Sequence, residues 1–494
     1  MLTWDKLLLS KRFREKETVE RSSSDKRTPF KKDFDTVCNS TILRRLQDKA
    51  QVFPLEQEDY ARTRLTHSIE TMSVAESIGF HAIDTIKNND SKYLKSIDGS
   101  EEPNINEIPN ILKTAALLHD MGNPPFGQLG EKIIGDWFKN NLGNLAFNSE
   151  KQLIFNTAGE AKETLEFKFK GKYAEDLKHF EGNAQLFRLV TKLSLVVDDK
   201  GMNLTFPVMA TFIKYPTSST KINKSKLLTK KIGYFSSEEN LYNTINKTLA
   251  LNNYRHPLAF LLEAADDIAY LTADIEDAHK KGLISLNTIH KYLDEQKGDD
   301  LVDKILQALE EYTNTANTMK YKDVEGYVIH RLRVLIKGLM INSMNEAFEN
   351  VYESIMEENF HQELIEVSSA KCIADILRKM EKENIYYCKN ILESKTRAIA
   401  VLTKLLETYV PAIVNWQPEN DANTDSSNNL LYLSLSENYR YMCEAANEKI
   451  SNKSSLSEKD KEEIMFNKIL LVTDQISGMT DTHALTIYKM LTAN

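Results

Sequence analysis

Glycine and proline are scarce in this chain, at 17 and 11 of 494 residues. Tight turns and bulges, on which strand-rich folds depend, are correspondingly few. Apolar residues recur instead at three- to four-residue spacing, and the expected class is all-α. Only four cysteines occur, Cys38, Cys372, Cys388 and Cys443. They are too scattered for a disulfide framework or a paired-cysteine metal knuckle, and they read as core thiols in a reducing compartment. No run of eighteen or more apolar residues is present, and the opening MLTWDKLLLSKRFREK lacks the apolar core and cleavage site of a secretory signal. The expectation is a cytoplasmic protein with no membrane partner. Positive charge is not in excess either: the formal net charge of −9 argues against polyanion binding over the whole surface and leaves room only for a local basic groove.

What is present is a 41% hydrophobic chain, enough for one large helical domain or two packed lobes. Residues 1–35 are charged and Ser-rich, with Lys11, Arg12, Arg14, Lys16 and the run Ser22 to Lys26. They read as an arm that docks on a neighbouring subunit or is disordered. Residues 36–290 hold all the metal-type residues, and 291–494 read as a C-terminal helical region completing the core and an oligomer interface. Two interruptions are expected: a surface loop over 88–108, and an extended piece Phe206 to Tyr215 that suggests a short hairpin within 198–240. The lysines after it, Lys224, Lys226, Lys230 and Lys231, read as solvated surface charge. Farther on, helices are expected over Val328 to Met344 and Ala370 to Met380. A break follows at Asn415-Trp416-Gln417-Pro418 and the polar run Glu419 to Asn429.

The chemistry is concentrated in an ordered set, His67, the pair His119-Asp120, and Asp266. His67 lies in a Gly- and Pro-free stretch from Arg62 that continues at helical spacing through Met72, Val74, Ala75 and Ile78. His119 closes the apolar helix Ala115 to Leu118, which Gly122-Asn123-Pro124-Pro125 terminates. Asp266 follows Pro257, a favourable first helical residue. Two imidazoles and two carboxylates suit one first-row divalent ion with coordination positions left open, and such an ion promotes phosphate-ester hydrolysis. Arg64 precedes His67 by three positions and shares its helical face, as a phosphate clamp would. Asp266, Tyr270 and Asp274 fall at i, i+4 and i+8, aligning a ligand, a ring and a second carboxylate along one helix, a stripe that suits a nucleoside.

The chain resembles the HD-domain superfamily and, within it, the deoxyguanosinetriphosphate triphosphohydrolases. The resemblance is carried by Ile42-Leu43-Arg44-Arg45-Leu46-Gln47, Gln51-Val52-Phe53-Pro54-Leu55, Arg62 to His67, His119 to Gly127, His179 to Gln185, Ile213-Lys214-Tyr215, Glu263 to Tyr270 and Ile476 to Asp481. It covers essentially the whole chain, although 290–465 matches only in helical character. It implies an HD-domain helical core with a C-terminal helical extension and at most a small β-hairpin insertion. It further implies hydrolysis of dGTP, or other dNTPs, to deoxynucleoside and inorganic triphosphate by attack at the α-phosphorus.

Carried over by position, His67, His119, Asp120 and Asp266 would hold the metal, Mn2+ or Mg2+ first, with Co2+, Fe2+ or Zn2+ as alternatives. Asp266 is preferred to Asp267 because only it gives the family's four-residue steps to Tyr270 and Asp274; one residue of error rotates the carboxylate by about 100°. Gln51 and Val52 would sit against the deoxyribose, Asp274 on its 3′-hydroxyl, and Tyr270 where a 2′-hydroxyl would clash. Arg64, Asn183, Lys214 and Tyr215 would hold the triphosphate, and His179 and Glu131 would line the reacting centre. The resemblance also implies a homo-oligomer, usually a hexamer, with Lys468 at the place where a basic residue of relatives reaches a neighbouring subunit's nucleotide. Single-stranded DNA is implied as an effector.

One position departs from the pattern. After Pro124-Pro125-Phe126-Gly127 the family has a histidine and this chain has Gln128. An amide can orient water or donate to phosphate, but it does not titrate and cannot serve as a general acid near neutral pH. A nucleotide-binding or regulatory protein with impaired chemistry is therefore the rival reading; a third, an HD phosphohydrolase acting on nucleoside monophosphates or cyclic nucleotides, would leave Gln51-Val52, Asn183 and Lys214-Tyr215 surplus.

Overall fold

The structure, a computed structural model, describes residues 1–14, 25–55, 60–94, 103–147, 153–155, 169–194, 200–418 and 424–492. Lys16, Ser22 to Ser24, residues 95–102 of the 88–108 stretch and the start of the polar run after Pro418 lie outside the described residues.

Short helices α1 (Trp4–Leu7), α2 (Pro29–Cys38) and α3 (Thr41–Arg45) open the chain. The long α4 (Arg64–Asn88) begins at Thr63, whose hydroxyl accepts from the Thr66 amide while the Thr66 hydroxyl accepts from the Thr63 amide, a reciprocal cap. After α5 (Asp90–Tyr93) come α6 (Ile108–Leu118), α7 (Gly127–Asn141), α8 (Gly171–Lys178) and α9 (Gly182–Arg188). Then follow α10 (Phe206–Phe212), α11 (Glu239–Thr248) and α12 (Pro257–Lys280). The C-terminal half continues with α13 (Leu286–Asp294), α14 (Asp300–Thr318), α15 (Val324–Met356), α16 (Leu364–Val367), α17 (Lys371–Asn384) and α18 (Lys389–Asn415). It ends with α19 (Ser427–Leu433), α20 (Glu437–Ser451), α21 (Glu458–Gly478) and α22 (Asp481–Thr492). The fold is all-α, as the composition leads one to expect.

The one β element among the described residues is the antiparallel pair β1 (Leu145–Phe147) and β2 (Leu153–Phe155), with Leu145 opposite Phe155. It is not in the segment where the sequence suggested a hairpin. Phe206 to Phe212 is helical instead and wholly buried. An apolar run with no polar face has no period by which helix and strand can be told apart. Here Pro207 at the first turn and a fixed entry decide for helix: the Thr205 amide and hydroxyl both donate to the buried Asp33 carboxylate, at 2.9 and 2.6 Å.

The N-terminal residues read as an arm also differ from expectation. Leu2, Trp4 and Leu7 are buried in the chain's own core, and the Trp4 indole donates to the Tyr352 hydroxyl at 2.7 Å. The cysteines are not uniformly core thiols: Cys443 is buried, Cys372 and Cys388 half-buried, and Cys38 exposed. Helix α18 is long and apolar enough by composition to cross a membrane. Its Val401, Leu402, Leu405, Leu406 and Val410 are buried, however, and it packs on α7 and α21, so it serves as an interior helix of this fold.

Helix α4 packs on α6 and α12, and α12 in turn on α15 and α17. This places the start of α4, the end of α6 and the middle of α12 around one cavity of about 940 Å³.

Candidate functional site

Three local devices aim the metal-type residues. The capped start of α4 presents Arg64 and His67 on one face, both buried. At the end of α6 the chain turns through Gly122 to Pro125, leaving His119 at the helix cap and Asp120 just beyond it. Helix α12 starts at Pro257 and is capped by His256, whose Nδ1 accepts from the Leu258 amide at 3.2 Å and whose Nε2 donates to the Leu7 carbonyl at 3.1 Å. Asp266 then falls midway along that helix.

The side chains converge. His67 Nε2 lies 3.0 Å and His119 Nε2 3.3 Å from Asp266 Oδ1. The ligand atoms of these three residues all lie within 4.8 Å of one another. His119 Nδ1 donates to the Ala116 carbonyl at 2.6 Å, which orients the ring and leaves Nε2 as the atom turned to Asp266. Nε2 is buried without a well-formed hydrogen bond. Burial opposes a charge on His119, but Asp120 and Asp266 outweigh it and push the imidazole up to about 8. The cluster thus demands a positive charge at that atom, supplied by a proton or by a cation in its place, and a divalent ion fits this donor set.

Asp120 stands beside the trio, with Oδ2 3.7 Å from His119 Nε2. Its carboxylate is turned by the Arg64 guanidinium, which donates to Oδ2 at 2.7 Å, and by Asn123, which donates to Oδ1 at 2.5 Å. Asp266 Oδ2 accepts from Lys214 at 3.0 Å. Burial would raise Asp266, but Lys214 and His119 hold it well below the usual carboxylate range.

Glycines give the site its room. A Cβ on Gly127, which has φ of +59°, would come within 2.3 Å of the Arg64 guanidinium. One on Gly182 would meet Asn123 Oδ1 at 2.3 Å and Glu131 Oε1 at 2.6 Å. The C-terminal segment closes the same turn from behind. The buried Lys49 ammonium donates to the carbonyls of Asn123 and Ser477, at 2.6 and 2.7 Å, and Asp481 accepts from the amides of Ala50 and Phe126.

No family model matches the chain. It is 38% identical to deoxyguanosinetriphosphate triphosphohydrolase-like proteins of Listeria monocytogenes and Listeria innocua, over 99% of this chain and of each relative. It is also 30% identical to a deoxyguanosinetriphosphate triphosphohydrolase of Yersinia pestis, over 94% of each. The chain belongs to the deoxyguanosinetriphosphate triphosphohydrolase family. The membership expected from the motifs is thereby shown, and the sites that the family resemblance assigned by position can be placed.

Gln51, Val52, Arg64, Gln128, Glu131, Asn183, Lys214, Tyr215, Tyr270 and Asp274 all line the cavity, together with His67, His119, Asp120 and Asp266. His179 does not. It caps the end of α8, one-third exposed, with Nε2 3.6 Å from Glu175. Its neighbours in the same motif, Glu181 and Asn183, reach the cavity instead, and Asn183 donates to Glu181 at 2.8 Å. Lys468 is tied within its own chain to the carbonyls of Val414 and Trp416, at 3.2 and 2.7 Å.

The lining also contains residues that sequence reasoning passed over. Lys230 and Lys231, read as surface charge, are two of them: Lys231 approaches Glu181 at 2.9 Å and Glu131 at 3.7 Å, and Lys230 pairs with Glu363 at 2.7 Å. Arg378 of α17 stands near Asp267 and Tyr270. Glu381, Tyr386, Tyr387 and Lys395 complete that wall. Glu181, Asn123, Glu263 and Asp267 also line the cavity and lay inside recognised motifs, whereas α17 offered no local signal beyond its helical period.

Arg255 anchors the Lys214-Tyr215 turn by donating to the Lys214 carbonyl at 2.5 Å while paired with Glu263 at 2.6 Å. Burial, reinforced by Glu181, pushes the Glu131 carboxyl up to about 8.

Proposed function

We propose that this chain is a metal-dependent deoxynucleoside triphosphate triphosphohydrolase, with dGTP as the preferred substrate and Mn2+ or Mg2+ as the ion. The observation that carries the reading is the convergence of His67, His119 and Asp266, with Asp120 beside them, in a cavity also lined by Arg64, Lys214, Lys230 and Lys231. Four cationic side chains beside a divalent-ion site offer donors for the oxygens of a triphosphate, more than a monophosphate or cyclic nucleotide needs. His67, His119, Asp120 and Asp266 would hold the ion, which when bound would supply Lewis-acid charge at the phosphoryl group.

Arg64, Lys214 and Lys231 bind the triphosphate oxygens, and Asn183 and Tyr215 add hydrogen bonds. Tyr270 packs against the sugar and Asp274 accepts from its 3′-hydroxyl, with Gln51 and Val52 on the same moiety. Gln51 Oε1 is buried without a partner and is free to accept from it. A water oxygen attacks the α-phosphorus and gives up a proton to solvent, the bond to the 5′-oxygen breaks, and deoxyguanosine and triphosphate leave. Glu131, raised by burial so that it retains a proton near neutral pH, delivers that proton to the departing 5′-oxygen. Gln128, exposed at the cavity, orients water through its amide.

The direct test is incubation with dGTP and Mn2+ or Mg2+, followed by chromatography. Deoxyguanosine with intact triphosphate is the expected product pair. Tight binding without product would support the regulatory reading that Gln128 suggests. For Gln128→His the expected result is a rise in kcat of roughly 10²–10⁴-fold with KM little changed, because a titrating group joins the proton transfer. No rise would show that Gln128 does not limit turnover. The assembly proposed with this activity is a homo-oligomer, a hexamer by family resemblance, with single-stranded DNA as a candidate effector; light scattering with and without an oligonucleotide tests both.

A further inference from the structure

The acids deepest in the nucleoside-facing wall of the cavity are Asp274 on α12 and Glu381 on α17, 3% and 2% exposed. The two helices pack on each other. Asp274 Oδ1 and Glu381 Oε1 are both buried without a hydrogen-bond partner. On its other oxygen Glu381 accepts from the Tyr386 hydroxyl at 3.3 Å, so its side chain is oriented while one oxygen is left uncommitted. An acid buried merely to pack would be satisfied by its surroundings, whereas two uncommitted oxygens at one cavity wall are a cost that a ligand can relieve.

We propose that Glu381 acts with Asp274 to recognise the sugar 3′-hydroxyl of the bound nucleotide, which makes Glu381 a specificity-determining residue. The proposal rests on the reading of the cavity as a deoxynucleoside triphosphate site. A hydroxyl both donates and accepts, and a lone carboxylate can only accept. Two adjacent carboxyls that retain a proton offer both functions at once. Burial, reinforced by Asp277, pushes Asp274 up to about 8; burial, reinforced by Asp274 itself, pushes Glu381 up to about 9. Near neutral pH the pair therefore holds the required proton.

The test compares dGTP with 2′,3′-dideoxyguanosine triphosphate, by calorimetric binding and by kcat/KM, in the full chain with Mn2+. Wild type is expected to favour dGTP by about 10- to 100-fold, the range of a hydrogen bond to a charged or strongly polar group. In Glu381→Met, which keeps the volume and removes the polarity, the preference should fall to within about 3-fold while dideoxynucleotide binding is unchanged. Glu381→Gln, whose amide still donates and accepts, should retain most of it. Tyr386→Phe, at a more exposed position, should lower the preference partway and supplies the reading if the Met variant does not fold. A preference that survives in both Glu381→Met and Tyr386→Phe, or a loss shared equally by both nucleotides, would overturn the proposal and leave the function standing. Wild-type protein that binds neither nucleotide would overturn both.

Discussion

On one turn of α12, Asp266 accepts from Lys214 and faces two imidazoles, while its neighbour Asp267 has Glu263 and Asp266 as its closest influences after burial. The outcome is opposite in sign: Asp266 is held well below the usual carboxylate range and Asp267 well above it. A cation site needs the ionised member. Asp266→Asn is therefore expected to abolish Mn2+ uptake in elemental analysis and to lower turnover by roughly 100-fold or more. Asp267→Asn should retain the metal, because it replaces a carboxyl that holds its proton. Equal metal loss in both variants would refute the assignment. At this scale much was readable in advance, since the four-residue steps from Asp266 to Tyr270 and Asp274 follow from helix period alone. The partners of Asp120 divide: Asn123 follows in the same turn, whereas Arg64 reaches it from α4, which no local pattern shows.

At the scale of elements, helix starts were the most legible feature. Thr63 and Pro257 mark α4 and α12 by local stereochemistry that needs no tertiary context. The cap of α12 carries a consequence for pH. Burial depresses His256 from 6.5 to about 4, with only a partial offset from the Leu7 carbonyl. The unfolded chain thus binds this proton more readily than the folded one, so the contribution to stability is complete above 6.5 and is lost as pH falls toward 4. The size of the effect is on the order of 3 kcal/mol. His256→Asn, which keeps a cap acceptor and does not titrate, should flatten the fall in urea midpoint between pH 6.5 and 4. An unchanged acid limb would remove His256 from the explanation. Helix α10 is not legible by period because the segment is buried all round, its one polar residue Thr211 included, so no polar face marks the turn.

For the whole molecule, the first residues of the chain are joined to the long helix α15 and the turn after it. Trp4 donates to Tyr352, the Leu2 amide donates to the Met356 carbonyl at 2.7 Å, and the terminal ammonium meets Glu358 at 2.7 Å. Trp4→Ala is expected to cost about 3–5 kcal/mol, the range for emptying a buried aromatic site, as a drop in the urea midpoint. A shift below about 1 kcal/mol would instead mean that the first turn is dispensable.

The sequence by itself determined the residue types, their order and the helices that carry them, because capping, helix period and proline act over a few residues. Family membership was legible in the same way, through short motifs spread along the chain. Only the tertiary structure decided which charges meet: that Lys231 faces Glu131 and Glu181, that Glu381 and Arg378 of α17 enter the cavity, and that His179 stays out of it. Contacts between segments dozens to hundreds of residues apart depend on how helices pack, and no local period encodes that.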